Sequence, residues 1–418
     1  AISLSAAVIV LYSLFFAPPP ITKENMAEGN KVEQNSDTPS LDQKENVAEI
    51  SREEALNQSE RINFENESIV GSISLKGGVI DDLTFKQYNV SLDSQEKVTL
   101  LSPRNSKDGY LIESGFITSD KNVEIPNSNS IWKVSGNNKL TDQSPIKISW
   151  TNDQGITFEK EIALDDKYLF SIKQSVINPT DKKYDFYTYG QIIRNEMPDI
   201  SNFYILHEGL VATLDDELIE EDYDDIQEKK FSRTAQKGWL GIGDKYWVTS
   251  LIPPREKEFK TTFDYKDKFR ANFVSTEPLE LNENSLIEET LQIIVAAKRV
   301  DVIDGYAESL NIDKFDLTID WGFLYFITKP LFFGIDYFFK LLGNYGLAII
   351  AITICIRLAF FPLANFSFRS MAKMKALQPE MARLKELHKD DKMKLQQAMM
   401  ALYKKEKVNP MSGCLPIL

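Results

Sequence analysis

The chain is poor in the residues that carry metal and covalent chemistry. Its 418 residues include two cysteines, Cys355 and Cys414, and two histidines, His207 and His388. Neither cysteine lies in the long acidic part of the chain, so no disulfide framework is expected there. No CxxC pair, histidine cluster, nucleophile motif or phosphate-binding loop is present. These absences give no positive argument for an enzyme, and no metal or cofactor is expected. Acid pairs do occur, such as Glu220-Glu221 and Asp224-Asp225. They lie in a hydrophilic run over 215–230 that reads as a solvated acidic loop.

Positive charge is also scarce, except in one block. The net charge is −14, yet 369–407 carries 11 Lys/Arg against 5 Asp/Glu, leaving −20 for the rest. A basic block beside an apolar run reads as membrane topology rather than nucleic-acid binding, and the positive-inside rule puts it in the cytoplasm. No DNA partner is expected.

The apolar run is 344–363, NYGLAIIAITICIRLAFFPL. Its length matches the about 20 residues needed to cross a bilayer. Arg357 is its one charge, at a position where insertion scales assign a cost of about 2.5–3.5 kcal/mol. Thr353, four residues earlier, shares its helix face. Two readings stand. Arg357 is a cation in a water-filled groove that attracts polar parts of a passing chain. Alternatively it snorkels to the cytoplasmic surface, a few residues from a helix end expected at Pro362.

The remaining segments follow in order. Residues 1–17 are apolar and end in prolines; they read as an anchor helix, with a cleaved signal segment as the alternative. Residues 18–61 are polar and acidic, with few aromatics, and read as a disordered linker. From 62 to 300 short alternating runs separated by turn residues predict a β-sandwich, with a hairpin at Gly77-Gly78. Over 301–343 a short helix precedes an aromatic-rich stretch broken by Lys329-Pro330 and carrying Asp336 and Lys340. That stretch reads as an amphipathic helix at the membrane surface, or as a kinked second span. Over 364–410 two apolar stripes, one from Met371 to Leu387 and one from Leu395 to Tyr403, predict an antiparallel helical hairpin. Residues 411–418 begin a new apolar run. With no initiating Met, the chain is expected to be cut at both ends. The fold class expected is thus a membrane protein of α+β type: anchor helix, β-sandwich, surface helix, transmembrane helix and cytoplasmic hairpin.

Seven of the nine methionines lie in the last 48 residues. Thioethers make an adaptable apolar surface, so Met371, Met374, Met381, Met399 and Met400 are candidate contacts for varied hydrophobic segments. The plainer reading is that they pack the hairpin together. Its basic residues suit anionic lipid or ribosomal RNA, or are simply solvated. Trp132, Trp150, Trp239 and Trp247 either line a sugar cleft or sit in a core.

One set of stretches is specific. These are 317–330 (LTIDWGFLYFITKP), 342–346 (LGNYG), and Ile356-Arg357-Leu358 with Phe361-Pro362-Leu363. They continue with Ser370-Met371-Ala372-Lys373-Met374, Leu377-Gln378-Pro379, 399–404 (MMALYK), and Lys407-Val408-Asn409-Pro410 with Gly413-Cys414. This series resembles the YidC/Oxa family of membrane protein insertases.

The resemblance implies a bacterial inner-membrane protein whose large β-supersandwich lies in the periplasm. It implies a groove closed to the periplasm, with Arg357 as groove arginine and Thr353 beside it, and a hairpin that receives substrates. It implies nascent membrane proteins, the Sec translocon, the ribosome and membrane lipids as partners. The family builds its groove from five core spans, of which one is expected in this chain. The alternative function is an anchored periplasmic module that binds a sugar or peptide.

Overall fold

The computed structural model describes residues 50–198, 207–322, 324–389 and 391–406. The anchor expected over 1–17, most of the linker and the run over 411–418 lie outside the described residues. The chain divides after Gly322 into two compact units.

The first unit is two sheets of eleven and nine strands. Their pairing is antiparallel except between Arg61–Glu65 and Lys139–Leu140, among the described residues. Period-two patterning drives this. In Thr157–Leu164 the buried positions are 158, 160, 162 and 164, so Phe158, Ile162 and Leu164 enter the core from one face. The Gly77-Gly78 turn has both residues at positive φ, 80° and 62°. They close a four-residue connection, 75–78, between strands paired at Ser74 and Val79, at backbone angles that glycine adopts without cost.

One inward position on that strand is Lys160. Its Nζ donates to the Gly78 carbonyl at 3.0 Å and lies 4.9 Å from the Trp132 ring centroid. Burial pushes its pKa down to about 7. Lys160 thus ties the Gly-Gly turn of one sheet to a strand of the other.

Three expectations are corrected here. The acidic run is not a loop: strand Glu217–Asp222 and helix α2 (Tyr223–Glu228) occupy it. Asp215 and Asp216 turn the chain at φ 49° and 69°, a conformation that aspartate tolerates better than most residues. Tyr223 and Ile226, one helical turn apart, are then buried. Glu220 is exposed and Glu221 half-buried, and partial burial raises the pKa of both. Second, the linker's end is ordered. Helix α1 (Arg52–Leu56) starts in a capping box of Ser51 and Glu54, and Arg52 pairs with Asp82. Third, the 301–343 segment is split between the units. Helix α3 (Val300–Ser309) buries Val302, Ile303 and Tyr306 against the β core, and the Tyr306 hydroxyl donates to Asp165 at 2.7 Å.

The second unit is helical. Helix α4 (Tyr325–Leu342) carries Asp336 and Lys340, which pair at 2.6 Å one turn apart. Gly343, at φ 67°, ends it, and the Asn344 side chain caps helix α5 (Tyr345–Ala376). The two pack closely: Ile352 lies where a Cβ on Gly334 would fall, and the Phe339 and Tyr345 rings stack at 3.9 Å. Helices α6 (Gln378–Leu387) and α7 (Lys392–Lys405) follow. Among the described residues, α5 alone is long and apolar enough to cross a membrane.

The buried lysine gives a pH-dependent stability. Unfolded, Lys160 titrates at its ordinary 10.5; folded, at about 7. The unfolded chain therefore holds the extra proton between those values, and this site makes stability rise with pH across that window. Lys160→Met should be more stable than the parent below pH 7 and should lack this component of the rise. Urea midpoints of both proteins from pH 6 to 10 check this; identical pH profiles would refute it.

Candidate functional site

Helix α5 sets the geometry of the candidate site. Ile352 faces Gly334 of α4. Arg357 lies five residues further on, about 140° round the helix axis at 3.6 residues per turn. It lies about 180° from Ala348, which is fully buried. Arg357 and Thr353 are both exposed and share this outward face. At 1.5 Å per residue, Arg357 stands about 18 Å from Tyr345 and about 9 Å from Leu363. It thus lies in the half of the apolar run nearer the basic block. No hydrogen bond or ion pair holds it among the described residues.

The expected helix end at Pro362 is corrected. The helix runs through Pro362 to Ala376, 32 residues in all, so the span continues into the start of the first hairpin arm. Proline has no N–H, so the carbonyl of Leu358, four residues back, loses its regular donor. Sequence reasoning missed it by taking Pro362 as a terminator. A proline inside a span is tolerated where other groups serve the freed carbonyl, and that was the available signal. The Thr353 hydroxyl donates to the Ile349 carbonyl at 2.6 Å.

The expected methionine surface divides. Met371 and Met374 are half-buried near the end of α5, Met381 on α6 and Met399 on α7. The Tyr403 hydroxyl reaches the Met381 sulfur at 3.8 Å, linking α6 to α7. Met400 is exposed, as is Met393. Leu387, expected on the packing stripe, is 71% exposed, and His388 takes the half-buried place after it. Leu377 alone separates α5 from α6, and its backbone stays in the right-handed helical region.

In the β unit, Trp132 and Trp239 are buried, which removes both from any open sugar cleft. Trp150 and Trp247 are half-buried at the edge of the core. The Arg194–Asp244 pair at 2.6 Å is a structural tie: Arg194 also donates to Tyr223 and lies over the Tyr110 ring.

Comparison with known proteins assigns both parts of the chain. Residues 61–333 match the family described as YidC periplasmic domain, and residues 337–418 match 60Kd inner membrane protein. Membrane protein insertase YidC of Pelagibacter ubique is 73% identical over 100% of this chain and 75% of its own length. Membrane protein insertase YidC of Brucella melitensis is 40% identical over 89% of this chain and 62% of its own length. The chain therefore spans between about three fifths and three quarters of these relatives. A crystal structure of an active YidC insertase, with its first transmembrane domain resolved, aligns at 15% identity. It covers 86% of this chain and 69% of that one at a TM-score of 0.30.

Packing predicts an order of oxidation. Under dilute peroxide Met393 and Met400 should be oxidised several-fold faster than Met381 and Met399, which face the hairpin's interior. Peptide mass spectrometry over time checks it. Equal rates at all four would mean that the hairpin helices do not pack as described.

Proposed function

This chain belongs to the YidC family of membrane protein insertases, and on that premise we propose that it inserts nascent proteins into the bacterial inner membrane along the Arg357 face of α5. The observation that carries this reading is the placement of the one charge in the span, on the face turned away from α4. A cation at that depth needs water or polar groups around it, and the two together make a polar place inside the apolar layer. Such a place shortens the apolar distance that a polar segment must cross, while the segment's apolar part enters lipid.

The parts take these roles. Arg357 attracts acidic and polar parts of the passing chain, and Thr353 stands beside it. The hairpin receives the nascent chain. Met400 is already exposed for that contact; Met371, Met374, Met381 and Met399 engage substrate as the hairpin loosens. Its basic residues meet anionic lipid and, transiently, the ribosome; the Sec translocon is a further partner. The β unit lies in the periplasm and the hairpin in the cytoplasm, in a multi-pass protein whose other spans complete the groove. Helix α4, with its charged pair Asp336–Lys340, lies at the outer membrane surface. Insertion in this scheme needs no covalent step, so no catalytic residue and no cofactor is assigned.

In the complete gene, Arg357→Leu should lower insertion of a short single-span protein by about tenfold or more, equivalent to ~1.4 kcal/mol in the limiting step. Arg357→Lys should retain part of the activity. A photocrosslinker at position 353 should capture ribosome-stalled chains only when their apolar segment is present. Full insertion by the leucine variant, with no capture at position 353 in folded protein, would refute the reading.

A further inference from the structure

The seam between the two sheets carries a small polar cavity that the insertion scheme does not use. Strands Thr157–Leu164 and Leu169–Asn178 belong to the nine-stranded sheet and place Lys160 directly opposite Gln174. Side chains paired in this way share a face, with Cβ atoms about 5 Å apart. Both point inward and are buried. The other sheet contributes the Gly77-Gly78 turn. Segment 126–132 covers that turn: Gly77 N–H donates to the Ser130 carbonyl and Trp132 N–H to the Leu75 carbonyl, each at 2.8 Å. The cavity left between these parts measures about 20 Å³ and is bounded by Gly115, Trp132, Lys160 and Gln174, among others.

Its polar atoms are of both kinds. Trp132 Nε1 and Gln174 Oε1 find no hydrogen-bond partner among the described residues, and neither residue is more than 3% exposed. A buried polar atom left unmet forfeits the hydration it had in the unfolded chain. The Gln174 amide is oriented, because its Nε2 donates to the Gly115 carbonyl at 3.4 Å; the unmet atom is therefore an acceptor. The indole Nε1 is a donor only. It lies against Gly78, 2.9 Å from where a Cβ on that residue would fall, and the Gly78 carbonyl takes the bond from Lys160 Nζ at 3.0 Å. Beyond that bond Lys160 keeps at least one N–H in either protonation state.

We infer that this cavity binds one structural water, which accepts from Trp132 Nε1 and Lys160 Nζ and donates to Gln174 Oε1. Polarity selects the ligand. Trp132 and Lys160 ask for an acceptor and Gln174 for a donor, and water is both. A halide ion only accepts and leaves Gln174 unmet; an apolar filler serves none of the three. Size agrees, since room of about 10–15 Å³ admits one water, and buried waters make about three hydrogen bonds. The water ties a strand pair of one sheet to the segment that covers the Gly-Gly turn of the other, and it hydrates the buried lysine. The inference stands independently of Arg357 and of insertion.

The test uses the complete protein. Crystals that diffract well enough to show ordered water should place one peak at about 2.7–3.2 Å from each of the three atoms. Growth in bromide instead of chloride should give no anomalous peak there. In nanodiscs, with tryptophan labelled with nitrogen-15, the Trp132 indole signal is assigned by its loss in Trp132→Phe. In the parent that signal should show a cross-peak to a slowly exchanging water. Gln174→Leu removes the acceptor and should abolish the cross-peak, while the other indole signals keep their positions and report an intact fold. A cavity without a peak in the parent, a bromide peak, or a cross-peak unchanged in Gln174→Leu would each overturn the inference. The parent crystals decide the matter even where Gln174→Leu fails to fold.

Discussion

A cation surrounded by apolar groups must be hydrated, paired or neutralised, and both units of this protein are shaped by that constraint. In the β unit Lys160 faces inward, and the fold supplies a carbonyl and an aromatic ring to hold it. In the helical unit Arg357 has neither. The first cation is a finished structural joint. The second leaves a demand that the helical unit's described residues do not meet.

The two units also differ in how their apolar contacts are made. The β unit is fastened by aromatic contacts with defined geometry, such as Phe64 against Phe170 at 5.2 Å and Trp239 against Phe315 at 5.3 Å. The hairpin is joined by methionine, leucine and one weak Tyr403–Met381 contact. Unbranched thioethers adapt their shape at little cost, while stacked rings do not. A rigid scaffold and a compliant hairpin thus follow from side-chain choice alone.

Much of the fold was legible. Strands Ile146–Thr151 and Thr157–Leu164 coincide with alternating runs, and the Gly77-Gly78 hairpin is marked by its two glycines. The misses have physical causes. Strand Tyr110–Ile117 is buried on both faces over its first half, so it lacks alternation to detect. The strand and helix over 217–228 were hidden because their charges face water and only Tyr223 and Ile226 report the buried side. In the site, Arg357 was conspicuous as a lone charge. Which way it points was not, because that depends on Ile352 meeting Gly334 across two helices.

The hydrogen bond from Thr353 to Ile349 has a consequence for what the outward face offers. With its only proton committed to the helix, the Thr353 oxygen can act toward a neighbour only as an acceptor. The guanidinium of Arg357, by contrast, is purely a donor. Within one or two turns the helix thus presents both polarities. Donor and acceptor lie within one stretch of the apolar run.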